Sequence, residues 1–346
     1  GGSVTLLSGS DISIDLAGPT LSLHGGMSGW GGDLAAHMKL GLPRSMPPIL
    51  TITGRLFHRS SSNGSALRRR RADAIGSLYA YTRSMWQPLR DTLPGLQIPP
   101  ISGHVQFDSA GLTLDVRSAA AEEVEIVTGA LSLIGWSASL WAQTTSLQVN
   151  VSVAGTVAIG GDNWLVVNAS GWLDTASESA GLSVVHPGGW SPLDGTMAPA
   201  FVTPRFEGTL RIANGSATFA ASVEWAHPIL LLGGLLNLTS SDAHSASGPS
   251  LVVRVAGLGD WGAHMGASVQ LGGIRNRPPA LSAYGALRSH EAHTVGVLQL
   301  STSSSWKPLP TKVPALVVPQ LDGRMQLDAT GVDLLVRSIE GQPQVS

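Results

Sequence analysis

The sequence contains no cysteine, so no disulfide can staple it and no thiol can act as nucleophile or metal ligand. Charge is scarce as well: 13% of its residues are Asp, Glu, Lys or Arg, about half the usual share. The formal net charge of −2 is too small to point to a nucleic-acid partner or an anionic membrane surface. Long hydrophobic runs are missing too. The longest, PILLLGGLLNL at 228–238, is roughly half of what a membrane-crossing helix needs, so no membrane span is expected. No secretory signal sequence is recognisable at residue 1.

Catalytic signatures are equally rare. The sequence has no Gly-x-Ser-x-Gly elbow, phosphate-binding loop or calcium loop. GLGDWG, Gly257 to Gly262, matches the spacing of a dinucleotide fingerprint. That chemistry needs a helix after the glycines, to aim amides at a pyrophosphate, and an acid about twenty residues on for the ribose. The next residues are AHMGASVQLGG, which read as strand, with no Asp or Glu between Asp260 and Glu291. His290 and His293 are three apart where a helical zinc pair needs four, and no third ligand lies near. The reading is therefore no enzyme, no metal and no cofactor.

What is present reads as β structure. Apolar residues make up 43% of the chain and come in short, often alternating runs such as SLVVRVAG, HTVGVLQL, LQVNVSVAGTVAI and GLTLDV. Period two is the strand signal, and 42 Gly and 21 Pro supply turns and strand ends. One stretch departs from this. SALRRRRADAIGSLYAYTRS at 65–84 has helix formers from Ala66 to Ile75, which predicts a short helix or an ordered loop inserted at this place. Its run Arg68, Arg69, Arg70, Arg71 is a candidate for cleavage by a basic-specific protease or for contact with an acidic polysaccharide. A solvated loop tip is the plain alternative.

A proline-punctuated phrase occurs three times: WQPLRDTLPGLQIPPISG from Trp86, WSPLDGTMAPAFVTPRFEG from Trp190 and WKPLPTKVPALVVPQLDG from Trp306. Prolines fall 8 and 13 residues after the Trp in the first and third copies, and one residue later in the second. A single inserted residue accounts for the shift. The Trp spacings of 104 and 116 residues are the period of a small domain. The chain thus reads as tandem β-sandwich-like units of about 105–115 residues: 1–118, 119–222 and 223–338, with 339–346 the start of a further unit or a tail. A fainter echo makes each unit a doubled half. Trp30 and Trp261 are each followed at 17 residues by Pro-Pro and at 24 by Gly54 and Gly285, and Trp136 is expected to take their place in the middle unit. The chain both opens and closes near a unit boundary, as a segment of a longer array would.

Proline fixes φ and offers no N–H, so the phrase predicts an extended crossover that cannot join a sheet as a central strand. Trp86, Trp190 and Trp306, with Trp30 and Trp261, are expected to be packing anchors within or between units. The competing role for such Trp residues is exposed stacking on sugars.

Of seven asparagines, five lie in Asn-x-Ser/Thr: Asn63, Asn150, Asn168, Asn214 and Asn237. Chance would place about one there, so N-linked glycans and an extracellular or cell-surface location are expected. Glycans also help keep a weakly charged surface soluble. Tandem units rich in Gly, Ala, Ser, Val and Leu, with W-x-P-L, a P-x-(F/L/I)-x-G step and a following strand, cysteine-poor and rich in sequons, resemble the repeat regions of very large surface glycoproteins of green algae. Those are flagellar-coat or extracellular filament proteins. The resemblance implies a structural or adhesive role, with copies of itself or flanking repeats of a longer chain as partners. The alternatives are a carbohydrate-binding adhesin using exposed Trp and a carrier of an apolar ligand.

Overall fold

The computed structural model describes residues 2–5, 12–26, 29–40, 49–58, 74–108, 111–143, 148–160, 164–175, 177–193, 195–241, 247–256, 260–271, 279–290 and 293–339. The strands of the first third are β1 (Gly2–Thr5), β2 (Ile12–Gly26), β3 (Gly29–Leu40), β4 (Ile49–His58), β5 (Ala74–Tyr81), β6 (Ile101–Asp108) and β7 (Gly111–Ser118). Next come β8 (Val124–Val127), β9 (Leu131–Gln143), β10 (Gln148–Ile159), β11 (Leu165–Asp174), β12 (Ser179–His186), β13 (Phe206–Ala213) and β14 (Ser216–Glu224). The last third holds β15 (Ile229–Leu231), β16 (Leu236–Thr239), β17 (Ser250–Ala256), β18 (Asp260–Leu271), β19 (Leu281–His290), β20 (His293–Ser301), β21 (Leu321–Asp328) and β22 (Gly331–Ser338). The fold is all-β, with only short 3-10 turns among the described residues. No helix there is long and apolar enough to cross a membrane.

Every pairing is antiparallel. The strands follow in chain order from β1 to β7, then β9 to β14, then β17 to β22. The joins are made by β7 on β9 and by β14 on β17. Short β8 and the β15–β16 hairpin flank β9 and β18. Hydrogen bonding therefore runs without a break across residues 118/119 and 222/223. Where sandwich-like units predict a gap between sheets, there is one continuous sheet. The closing strands β7 and β14 keep a full complement of edge N–H and C=O groups, and pairing them with the next long strand satisfies those groups.

Period two places one face inside. In β14, Ala217, Phe219, Ala221 and Val223 are buried and their neighbours are exposed. A single cluster of buried side chains runs from Ala36 to Leu327. The sheet rolls over this cluster and so brings distant segments together. Thr92 Oγ1 donates to Glu178 at 3.3 Å, and Trp164 Nε1 donates to Thr294 Oγ1 at 2.8 Å.

Glycine permits the tight strand contacts that go with this rolling. Gly54, Gly171 and Gly285 stand opposite Leu78, Leu182 and Leu298, and Gly103, Gly208 and Gly323 opposite Val116, Ala221 and Val336. At each of the six, a Cβ would fall within 2.6 Å of a backbone oxygen on the neighbouring strand. No other residue fits there without parting the strands.

The recurring phrase forms a closed loop outside the ladder. Trp86 N donates to Ile98 O at 3.0 Å and Ile98 N returns to Trp86 O at 2.8 Å, with Leu93 N on Leu89 O and Leu96 N on Leu93 O inside. In the third copy Trp306 and Val318, Val313 and Leu309, and Leu316 and Val313 make the same bonds. Thr82 and Thr302 close the two loops alike, each Oγ1 accepting from Ile101 N or Leu321 N. The middle copy keeps Thr203 N on Trp190 O at 2.7 Å but absorbs its extra residue in a 3-10 turn, Gly195–Phe201.

Trp30 and Trp261 are each the second residue of a strand, β3 and β18. Trp136 is not their counterpart. It sits within β9, one strand earlier, where it is fully buried and its Nε1 donates to Glu122 O at 3.0 Å. Of the stretch Ala66 to Ile75, only Ala74 and Ile75 are described, and they open β5 as strand.

Candidate functional site

Alternation leaves the outer face of the sheet with side chains in cross-strand rows. One row reads Tyr79, His104, Asp115, Trp141, Asn150 across β5, β6, β7, β9 and β10, and all five are exposed. Tyr79 stacks on Tyr81 at 5.9 Å and meets His104 edge-on at 6.1 Å. The neighbouring row runs Tyr81, Ser102, Arg117, Ser139, Ser152, Trp172. Ser139 and Ser152 share a 2.6 Å hydrogen bond. Trp172 lies flat over Gly181, whose missing side chain makes room for the indole. Trp141 and Trp172 were legible by parity: Ala138, Leu140 and Ala142 face the core, so Trp141 faces out, and Leu173 does the same for Trp172.

Farther along the face, β17 to β21 form an open concavity of about 1000 Å³, lined by Arg254, His264, Tyr284, Gln299, Asp322 and Arg324 among others. Tyr284 is 65% exposed, and its ring is parallel to that of His264 at 6.1 Å. Asp322 is paired with Arg337 at 3.3 Å. A flat aromatic face, guanidinium and amide donors and a carboxylate acceptor are the groups that hold a polyhydroxylated ligand. The concavity lies on the polar side of the sheet and not in its apolar core.

Asn150 and Asn168 sit exposed on β10 and β11, and Asn214 on the β13–β14 turn, where its φ of 53° suits Asn. Asn237, on β16 opposite Leu230, is half-buried, and its Oδ1 has neither solvent nor a protein partner. Asn63 and Arg68 to Arg71 lie outside the described residues, as do the side chains of Trp30 and Trp261. Trp86 is buried. Trp190 is half-buried: it is edge-on to Trp164 at 4.8 Å, and its Nε1 donates to Trp164 O at 2.9 Å. Trp306 is half-buried. The Gly-x-Gly-x-x-Gly match falls between β17 and β18, so its last three residues open a strand and no helix comes after it. His290 and His293 close the β19–β20 hairpin as its last register pair. No group of three or more metal-ligating side chains occurs among the described residues.

Among the described residues two titrating groups are perturbed. The Thr330 hydroxyl, then the Gln326 amide and the Thr330 N–H, hold Asp328 down to about 2. Oδ1 accepts from Thr330 Oγ1 at 2.6 Å and from Thr330 N at 2.9 Å, which closes the β21–β22 turn. Burial beside Phe206, whose ring it stacks on at 5.0 Å, lowers His186. Both folded values lie below the unfolded ones. The stabilisation is therefore present above the unfolded pKa and is lost as pH falls through the folded one. For Asp328 that window runs from about pH 4 down to about 2. Asp328→Asn is expected to show a smaller drop in thermal midpoint than wild type between pH 5 and pH 2.5. Equal drops would remove this carboxylate from the acid response.

Compared with known protein families, with curated proteins and with solved structures, the chain has no match.

Proposed function

We propose that this chain is a structural, N-glycosylated repeat segment of a cell-surface coat or extracellular filament, with no catalytic role. The observation that carries the reading is that the Trp–Pro loops at 86–98 and 306–318 repeat bond for bond. Alongside this, strands belonging to successive repeats pair directly, β7 on β9 and β14 on β17. Units that share one ladder suit an extended array, because each contributes pairing to its neighbour. The recurrent glycine contacts in β4, β11 and β19 and again in β6, β13 and β21 support a doubled half within each unit.

Glycans are the second element of the proposal. Three of the five sequons stand on exposed strand or turn positions, where an oligosaccharide can project into solvent. Glycopeptide analysis of native material is expected to find N-glycan at Asn150, Asn168 and Asn214, and lower occupancy at Asn237, whose side chain is half-buried. Bare asparagine at all of the exposed sites would end the secretory reading.

The concavity around Tyr284 and His264 favours a second reading, a carbohydrate-binding adhesin whose ligand lies on the outer face. Its aromatic surface comes from Tyr284 and not from the Trp residues of the repeated phrase, of which Trp86 is buried.

A further inference from the structure

The first and third copies of the phrase have the same backbone, yet their apolar side chains differ sharply in exposure. Leu89, Leu93 and Leu96 are 0%, 7% and 2% exposed; Leu309, Val313 and Leu316, in the same places of the third copy, are 42%, 45% and 44% exposed. The closing strands differ in the same direction. Leu112, Leu114 and Val116 of β7 are buried, whereas Val332, Leu334 and Val336 of β22 are only partly so. The difference lies in the segment that succeeds each copy. After the first, β9 pairs along the outer edge of β7, and Val124 of β8 comes to 3.6 Å from where a Cβ on Gly95 would be. After the second, Trp225 stands edge-on to Phe201 and its Nε1 donates to Val202 O at 2.9 Å. Among the described residues, nothing pairs with the outer edge of β22.

The opposite end of the sheet offers the complementary edge. Strand β9 shares one edge between β8, at residues 131–133, and β7, at residues 139–143. Strand β2 is laid out similarly but only half occupied. β1 pairs with residues 13–16, and among the described residues no strand pairs with that edge beyond them. The open part of β2 is thus the place that β7 takes on β9.

We infer that the face made by β22 and the 309–317 loop is a docking surface for a second copy of this chain, entered by that copy's β1–β2 hairpin. The inference rests on the structural-repeat reading above and names the surface through which such an array grows. The contact joins two different patches, so it propagates head to tail instead of closing as a two-fold dimer. The pairing seen inside the chain supplies its template: antiparallel addition of a strand to β22, with apolar cover over Leu309, Val313 and Leu316. An area above about 1,000 Å² is expected of a specific contact of this kind.

The test uses the full 346-residue chain. Sedimentation velocity at tens of micromolar is expected to show concentration-dependent association. Leu309→Glu/Val313→Glu should weaken it at least tenfold while leaving the thermal midpoint and the far-ultraviolet spectrum unchanged, since both residues are already exposed. The absence of cysteine allows a direct check of the partner. Ala315→Cys stands where Gly95 does, and Val4→Cys lies on β1, which flanks β2 as β8 flanks β9. Mixing the two single variants under mild oxidation should give a disulfide-linked mixed dimer. A chain that stays monomeric, or association unaffected by the double Glu variant, or no mixed dimer from a sample that does associate, would each overturn the inference. None of these readouts depends on glycans, so bare sequons with intact association would remove the secretory reading and leave the docking surface standing.

Discussion

Trp86→Ala is expected to cost about 3–5 kcal/mol, the range for truncating a large buried aromatic, whereas Trp306→Ala should cost only about 1 kcal/mol. The two indoles occupy one position in one loop, and each residue exchanges the same pair of backbone hydrogen bonds, with Ile98 or with Val318. Local sequence and local geometry therefore predict equal effects. What differs is cover: Trp86 is buried, with Leu89, Leu93 and Leu96 also sealed, while Trp306 is half-exposed beside exposed Leu309 and Val313. Trp190→Ala should fall between, because Trp190 is half-buried but is fixed by its edge-on contact with Trp164 and a 2.9 Å hydrogen bond from its Nε1. Urea midpoints of the three variants would check the order. Equal losses would mean that the anchor acts within its own loop and owes nothing to the strands after it.

A loss of similar size is expected from Gly285→Val. A Cβ at this position would stand 1.9 Å from Val297 O and 2.7 Å from Leu298 Cα, both backbone atoms of β20. No rotamer relieves such a contact, so β19 and β20 have to separate. Overpacking of this kind costs about 3 kcal/mol or more. Because β19 is an interior strand held by β18 and β20, the damage spreads to two ladders, and the yield of folded protein should fall with it. Gly262→Val in β18 is the control, since nothing lies closer than 4.0 Å to its Cβ position. A β-branched residue at this half-buried strand position, with open space where its Cβ would stand, should be tolerated or slightly stabilising. Thermal unfolding midpoints separate the two. Similar midpoints would mean that the glycines of β4, β11 and β19 do not set the spacing between strands.

The candidate site was partly legible in the sequence. Period two in SLWAQ and in GWLD already turns Trp141 and Trp172 outward, and the sequons at Asn150, Asn168 and Asn214 fall at outward or turn positions. The concavity was not legible. Arg254, His264, Tyr284, Gln299 and Arg324 come from five strands spread over seventy residues, and no local pattern says that a rolled sheet sets them side by side. The misplacement of Trp136 has a similar origin. Its place in the middle unit mimics that of Trp30 and Trp261, but strand identity depends on which hairpin a residue enters, and Trp136 enters one strand early.

By itself the sequence determined what is local. Alternation makes strands, glycine and proline end them, and a phrase without N–H groups at fixed points closes into the same loop wherever it recurs, because φ restriction and missing donors act over a few residues. The all-β class comes from that alone. The tertiary structure decided whether neighbouring units stay apart as sandwiches or join through their edges. It also decided which copies of one loop are covered and which remain open. Edge pairing and burial depend on partners distant in the chain, and equivalent segments such as Leu89 to Leu96 and Leu309 to Leu316 carry no mark of the strand that will lie over them.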